Sequence, residues 1–255
     1  MSVVSLTTDF GTSDWFVGSM KGVILAIEPT ATIVDLTHDV PAGDVRAGAF
    51  ALAAGAKCFP RFTIHVVVVD PGVGSERGII AVRTADHVFV APDNGVLTYV
   101  LANETILDIR SVERDAYFRK PVSNTFHGRD IFAPVAGHLA KGLLLESLGP
   151  KIKGYNELVW TKPAVEGGEL RGEIIWIDHF GNAITNIELD SVPYSAAAVR
   201  VPTKVECTIK EFYQQVPTGQ PLALVGSTGF LEIALNSGNA AQSFGLKIGD
   251  PVVVK

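Results

Sequence analysis

The run Val66–Val69, four consecutive valines that end on Asp70, constrains this chain more than any other stretch. A strand with no polar alternation is buried on both faces, the position of a central strand in a parallel sheet covered by helices. Open α/β sheets bind their ligands beyond the carboxyl ends of such strands, and Asp70 is delivered to that edge. Pro71, Gly72 and Gly74 then turn the chain tightly and bring Glu76 and Arg77 back towards the carboxylate. The same residues also suit a plain turn capped by Asp70, so the loop alone leaves both readings open.

Gly72, Gly74 and Gly78 have the spacing of a phosphate-binding loop, but their context does not fit one. A nucleotide loop needs a helix to begin there, so that its amides meet the phosphate. Here Ile79–Val82 and Val88–Val90 read as further strands, and no Gly-Lys-Ser/Thr follows.

Val3–Thr7 reads as a first strand that also ends on a carboxylate, Asp9, followed by Gly11. Thr12 or Ser13 can cap a helix to about Ile27, whose Trp15, Phe16, Met20, Val23, Ile24 and Ile27 fall at helical spacing. Pro29 stops it. Thr32–Leu36 completes a β-α-β unit and hence a parallel pair. After the loop THDVPAGD, Asp44 caps a second helix through about Lys57. Beyond the Asp70 loop, Ile79–Val82 and Val88–Val90 pair as a hairpin. APDNG leads into a short helix, Val96–Leu101, with Asp93 or Asn94 as its cap, and Ile106–Ile109 is another strand. The polar loop SNTFHGRD precedes a helix from about Ile131 to Lys141, ended by Gly142. His127 lies just ahead of that helix, where a loop histidine bonded to backbone is an equally good reading.

Residues 1–150 are therefore expected to form an α/β domain, a central and largely parallel sheet flanked by helices. Residues 151–168, punctuated by proline and glycine, read as a linker. Residues 169–255 change texture. Gly172–Ile177, Ala183–Ile187, Val201–Ile209, Leu222–Val225, Phe230–Ala234 and Val252–Val254 are short strands between turns, as in a small all-β barrel or sandwich. The turns Asp178–Asn182 and Gly226–Gly229 place polar side chains at tight tips, which ordinary hairpin chemistry also explains.

With a formal net charge of −6 the chain has no basic field to attract nucleic acid or an anionic membrane surface, which leaves a small molecule as the expected partner. There is no apolar run of about 18 residues and no basic segment ahead of an apolar one at the start, so a cytoplasmic location is expected. The two cysteines, Cys58 and Cys207, have neither disulfide-framework nor metal-ligand spacing, and no metal site is expected.

Together, TTDFGTSDWFVGSMKG, LTHDV, VVVVDPGVGSER, APDNG, FHGRD and WIDHFGNAITNI resemble the adenosine-forming S-adenosyl-L-methionine (SAM) hydrolases, also called SAM hydroxide adenosyltransferases. These are relatives of the enzymes that fluorinate or chlorinate the same substrate. The motifs follow the same order from Thr7 to Ser227. The resemblance implies an α/β N-terminal domain, a barrel-like C-terminal domain and a homotrimer with its sites between subunits. It implies a water-holding set of Asp70, Arg77 and His127, with Asp9 on the ribose hydroxyls and Phe126 beside the reacting C5′ carbon. Asp14 and Asp178 match positions near the methionine amino group, Phe180 and Asn182 match residues that stack on and bond the adenine, and Ser227 matches a contact to the methionine portion.

Where the fluorinating relatives have Tyr-Ser, this chain has His127-Gly128, so a hydroxyl that helps hold halide is missing. Gly43 and Thr228 stand where those relatives carry a tryptophan and an arginine. The implied reaction is displacement of methionine at C5′ by water or hydroxide, releasing adenosine, with no metal or other cofactor. A halide-using adenosyltransferase, a non-catalytic SAM or adenosine sensor and, more weakly, a metallohydrolase are the alternatives.

Overall fold

A computed structural model describes residues 2–159, 161–188, 190, 198–201 and 205–255. The chain divides into two compact units, residues 1–158 and 159–255. Among the described residues no helix is long and apolar enough to cross a membrane.

The first unit is built on a six-stranded sheet of order β2-β1-β3-β5-β4-β6, with β1 Val3–Thr8, β2 Thr32–Thr37, β3 Ile64–Val68, β4 Ile79–Thr84, β5 Val88–Pro92 and β6 Ile106–Ser111. β1 runs parallel to β2 and β3, and β3 parallel to β5; β4 is antiparallel to both β5 and β6. The valine run is the central strand, with every residue of β3 buried. Its even-numbered side chains, Ile64, Val66 and Val68, enter a core shared with Met20 and Ile24 of α1 (Phe16–Ile27) and Val135 and Ala136 of α4 (Ala133–Ala140). α2 (Val45–Ala56) approaches the sheet so closely that a Cβ at Gly48 would stand 2.8 Å from a Val69 methyl.

Local chemistry shifts several helix ends. Asp44 caps α2 as expected, its Oδ1 accepting from Ala47 N at 2.9 Å. Thr12 and Ser13 do not cap α1, which starts at Phe16 after Trp15 with no side-chain cap. Gly11, at φ 66° with its N–H on the His38 carbonyl, carries the chain on as a loop first. The short helix α3 covers only Thr98–Leu101. Asn94 Oδ1 takes the N–H of Val96 and Asp93 Oδ1 that of Asn156, so neither caps it. Ahead of α4, residues Gly128–Phe132 form a π-helical turn. Pro134, lacking an N–H, is placed in the first turn of α4, where a proline removes no needed bond.

The second unit is a closed barrel. Its strands are β7 Ala164–Glu166, β8 Glu169–Ile177, β9 Ala183–Glu188, β10 Val199–Arg200, β11 Glu206–Ile209, β12 Pro221–Val225, β13 Phe230–Leu235 and β14 Pro251–Val254, with a short helix, α5, at Ala240–Phe244. The ring runs β8-β9-β13-β12-β11-β10-β14 and returns to β8 through pairs from Pro251↔Glu173 to Val254↔Leu170. β7 adds to β8 from outside the ring. The pairing of β14 with β8 decides for a barrel over a sandwich. β11 and β12 pair in parallel, and Ile174, Ile187, Cys207, Ile233 and Val252 fill the interior. Of the expected strand Val201–Ile209, Glu206–Ile209 forms β11, Val201 follows the end of β10, and 202–204 lie outside the described residues. Within 151–168, Lys151 bridges Arg110 and Glu157 bridges Gly95, while 164–166 forms β7.

One core residue couples this fold to acidity. His65 on β3 is fully buried, with Nδ1 2.6 Å from Ser5 Oγ and its ring stacked on Phe89 at 5.1 Å. Burial, reinforced by nearby His87, pushes its pKa down to about 3. Between that value and the ordinary 6.5 the unfolded chain holds the proton and the folded one does not, so stability falls as the pH falls. Urea unfolding of the sheet is expected to lose up to about 1.4 kcal/mol per pH unit over this window from His65. His65→Gln, which keeps an acceptor for Ser5 and does not titrate, flattens that slope.

Candidate active site

The carboxyl end of β3 presents a compact polar group. Asp70, with its side chain only 4% exposed, meets Arg77 at 11%. Arg77 Nε donates to Asp70 Oδ1 at 3.0 Å and Oδ2 at 2.9 Å, and Nη2 donates to Oδ2 at 2.5 Å. The same Nη2 lies 2.7 Å from His127 Nδ1. The turn between them is tight. Ser75 N and Oγ both donate to the Gly72 carbonyl, at 3.0 and 2.6 Å. Glu76, which the sequence brings back with Arg77, is exposed.

This contact fixes the state of the imidazole. A guanidinium N–H can only donate, so His127 Nδ1 must accept, and the neutral ring carries its proton on Nε2. Burial, then the positive Arg77, holds the His127 pKa below its ordinary value, with Asp70 and Asp130 opposing. His127 is thus neutral with a donor at Nε2.

Two loops are locked together to make the contact. Gly74 has φ 78°, and a Cβ there would overlap the Asn124 carbonyl oxygen, so the Asp70 loop lies backbone to backbone against the 123–130 loop. That second loop is closed by Asp130, fully buried, which accepts from Ser123 N at 2.9 Å, from Arg129 Nε and Nη2 at 2.7 and 2.8 Å, and from Arg119 Nη1 at 3.1 Å. Burial opposes ionisation, but these donors hold the carboxyl below its ordinary pKa. Sequence reading did not single out Asp130. The signal available was the Arg-Asp pair beside His127, because a buried charge demands partners.

Asp70 and His127 open onto a cavity of about 120 Å³ that also meets Phe10, Phe16, Phe126, Val68 and Val73. Phe126 meets Phe10 and Phe16 edge to face, with ring centres 6.0 and 5.0 Å apart. The cavity therefore joins a carboxylate and an imidazole to an aromatic wall. Asp9, in the turn after β1, accepts from Gly43 N at 2.7 Å through Oδ2 and directly precedes Phe10 of that wall. Asp14 is exposed in the segment leading to α1.

The remaining positions lie in the second unit. Asp178 Oδ1 accepts from the N–H groups of Phe180 and Asn182 at 2.9 and 2.8 Å, and Oδ2 from Asn182 Nδ2 at 3.0 Å. This ties the tip between β8 and β9 and leaves Phe180 72% exposed. Ser227 is exposed in a turn closed by Gly226 N on the Phe230 carbonyl at 2.9 Å. Glu232 was not foreseen. It is buried beneath that turn, where a Cβ at Gly226 would overlap its Oε2, and Tyr213 Oη donates to its Oε1 at 2.5 Å. Burial, with a contribution from Asp178, pushes its pKa up.

Comparison with known proteins accords with this architecture. The SAM hydroxide adenosyltransferase N-terminal domain matches residues 4–149 and the C-terminal domain of the same family residues 172–253. The chain is 39% identical to the (R)-S-adenosyl-L-methionine hydrolase of Salinispora tropica over 97% of its length and 95% of the relative's. It is 27% identical to a fluorinase of Actinoplanes sp., over 99% and 97%. The crystal structure of an uncharacterized conserved protein from Thermotoga maritima superposes with a TM-score of 0.93 at 42% identity, covering 98% of this chain and 99% of that one. The chain belongs to the SAM hydroxide adenosyltransferase family.

Gly74→Ala tests the loop lock. A left-handed alanine costs about 1–2 kcal/mol, and the overlap with Asn124 adds to it. The urea midpoint is expected to fall, and the His127 imidazole, moved from Arg77, to titrate closer to its ordinary value in an NMR pH series.

Proposed function

We propose that this chain hydrolyses SAM at C5′, giving adenosine and L-methionine. The observation that carries the reading is the Arg77 guanidinium shared between Asp70 and His127 at the wall of an aromatic cavity, in a chain of this family. A sulfonium leaves as a neutral thioether and needs no protonation. The difficulty lies with the nucleophile, because water is weak and must be held in line with the C5′–S bond, and orientation of that kind is a large resource.

Each side chain has a place in the reaction. The Nε2–H of neutral His127 donates to the water oxygen, and the lone pairs of Asp70 left over from Arg77 accept a water proton. The positive Arg77 favours the hydroxide character that develops. As the C5′–O bond forms, the C5′–S electron pair goes to sulfur, and the proton passes from Asp70 to solvent. Phe126 and its neighbours keep the centre dry, which strengthens these interactions. Asp9 takes the ribose hydroxyls, Phe180 and Asn182 the adenine, and Asp14, Asp178 and Ser227 the methionine end. The enzyme works without a metal or other cofactor, in the cytoplasm, as a homotrimer whose sites form between subunits. The exposed Phe180 ring suits a surface completed by ligand and neighbour.

Incubation with SAM in heavy-oxygen water, free of chloride and with EDTA, is expected to give adenosine carrying solvent oxygen at C5′ by mass spectrometry. Asp70→Asn is expected to slow it by about 10²–10⁴-fold. Tight binding without product would leave a sensor, and a 5′-chloro product on adding chloride would establish the halide reading. Sedimentation equilibrium is expected to return three times the chain mass.

The acid limb follows from His127. Once protonated, Nδ1 no longer accepts from Arg77, so kcat/KM falls as the pH drops through a pKa that lies below the ordinary imidazole value. A pH–rate profile locates that limb, and an acid limb above 6.5 would contradict it.

A further inference from the structure

The turn that follows β1, Thr8-Asp9-Phe10-Gly11, carries one residue of the aromatic wall and the carboxylate assigned to the ribose. The contacts of the turn converge on His38, a buried residue at the end of β2 that the reaction itself does not use. At the start of the turn His38 Nδ1 lies 2.8 Å from Thr8 Oγ1. At its end the His38 carbonyl accepts from Gly11 N at 2.8 Å. The loop leaving His38 then supplies Gly43, whose N–H holds Asp9 Oδ2.

The imidazole is itself oriented from behind. His38 Nε2 faces Asp35 Oδ1 at 3.0 Å, and Asp35 Oδ2 is paired with Lys21 Nζ of α1 at 2.6 Å. The contact is not aligned as a hydrogen bond, but the negative charge of a carboxylate this near favours the tautomer with its proton on Nε2, which leaves Nδ1 as an acceptor. Thr8 then donates its hydroxyl proton to His38, and its oxygen remains free to accept from Phe10 N, 3.2 Å away. Asp35, His38 and Thr8 thus stand in the order carboxylate, imidazole, hydroxyl. Thr8 is fully buried, so the hydroxyl is directed at its own backbone rather than at a substrate.

We propose that His38 is a positioning residue that acts through Thr8 to fix where Asp9 presents its carboxylate, and so sets the affinity for the ribose diol. The proposal rests on the reading of Asp9 as the ribose-binding group. It makes the Lys21, Asp35, His38, Thr8 series a device of recognition and not of proton transfer.

The test compares adenosine with 2′,3′-dideoxyadenosine by isothermal titration calorimetry on the full chain. Wild type is expected to bind adenosine about tenfold tighter or more, since the ribose hydroxyls donate to a charged carboxylate, a strong class of hydrogen bond. His38→Ala and Thr8→Val are expected to lose most of that preference while holding dideoxyadenosine within about twofold of wild type; the tenfold scale is that of a single well-placed contact. Thr8→Ser, which keeps the hydroxyl, restores it. Equal losses for both nucleosides would show a merely structural role and overturn the proposal, as would variants that keep the full preference. A wild type with no preference would remove the ribose role of Asp9, and the proposal with it. Should His38→Ala fail to fold, the near-isosteric Thr8→Val decides the same question.

Discussion

A single guanidinium nitrogen, Arg77 Nη2, touches both the carboxylate and the imidazole of the site, and much of the first unit is arranged so that it can. Asp70 is nearly buried, and a carboxylate there without a partner would be costly. His127 reaches the same nitrogen only because its loop is closed around Asp130 and pressed against Gly74. The acceptor at His127 Nδ1 and the proton left on its Nε2 follow from where Arg77 sits. Removing Arg77 would leave a buried charge unpaired and an imidazole free to rotate, a loss of stability as well as of organisation.

The sheet supplies the other half of the arrangement. Thr8 of β1 pairs in register with Val68 of β3, so the turns that follow two neighbouring parallel strands emerge at the same edge. Asp9 and Asp70 are therefore placed by strand register, before any side-chain contact is considered. The aromatic wall spans the same edge, drawing Phe10 from one turn, Phe16 from α1 and Phe126 from the loop ahead of α4. Position in the sheet comes first, and the polar contacts refine it.

This is why so much of the first unit could be read in advance. The all-valine run, the repetition of strand, carboxylate and glycine at Asp9 and Asp70, and the cap at Asp44 are local signals with local causes. The misplaced features have distant causes. α1 begins late because Gly11 bonds to His38 across the sheet, and the π-helical turn at Gly128–Phe132 ahead of α4 was not visible in the helical spacing. Glu232 escaped notice because its partner Tyr213 is brought near only by folding, and Asp130 because the adjacent Arg129 does not by itself tell a buried pair from a surface one. Barrel and sandwich stayed undecided until the pairing of β14 with β8 could be seen.

The closure of the second unit has a further consequence. A ring in which every neighbour runs in the opposite direction needs an even number of strands, and this ring has seven. One pair must therefore run in the same direction, and it is β11 with β12. Antiparallel neighbours can be joined by a two-residue turn, but a parallel pair requires the chain to travel back the length of the barrel. Residues 210–220 make that return, and along it they deliver Tyr213 to the buried carboxyl of Glu232. An arithmetical property of the ring thus brings a phenol to the group beneath the Ser227 turn.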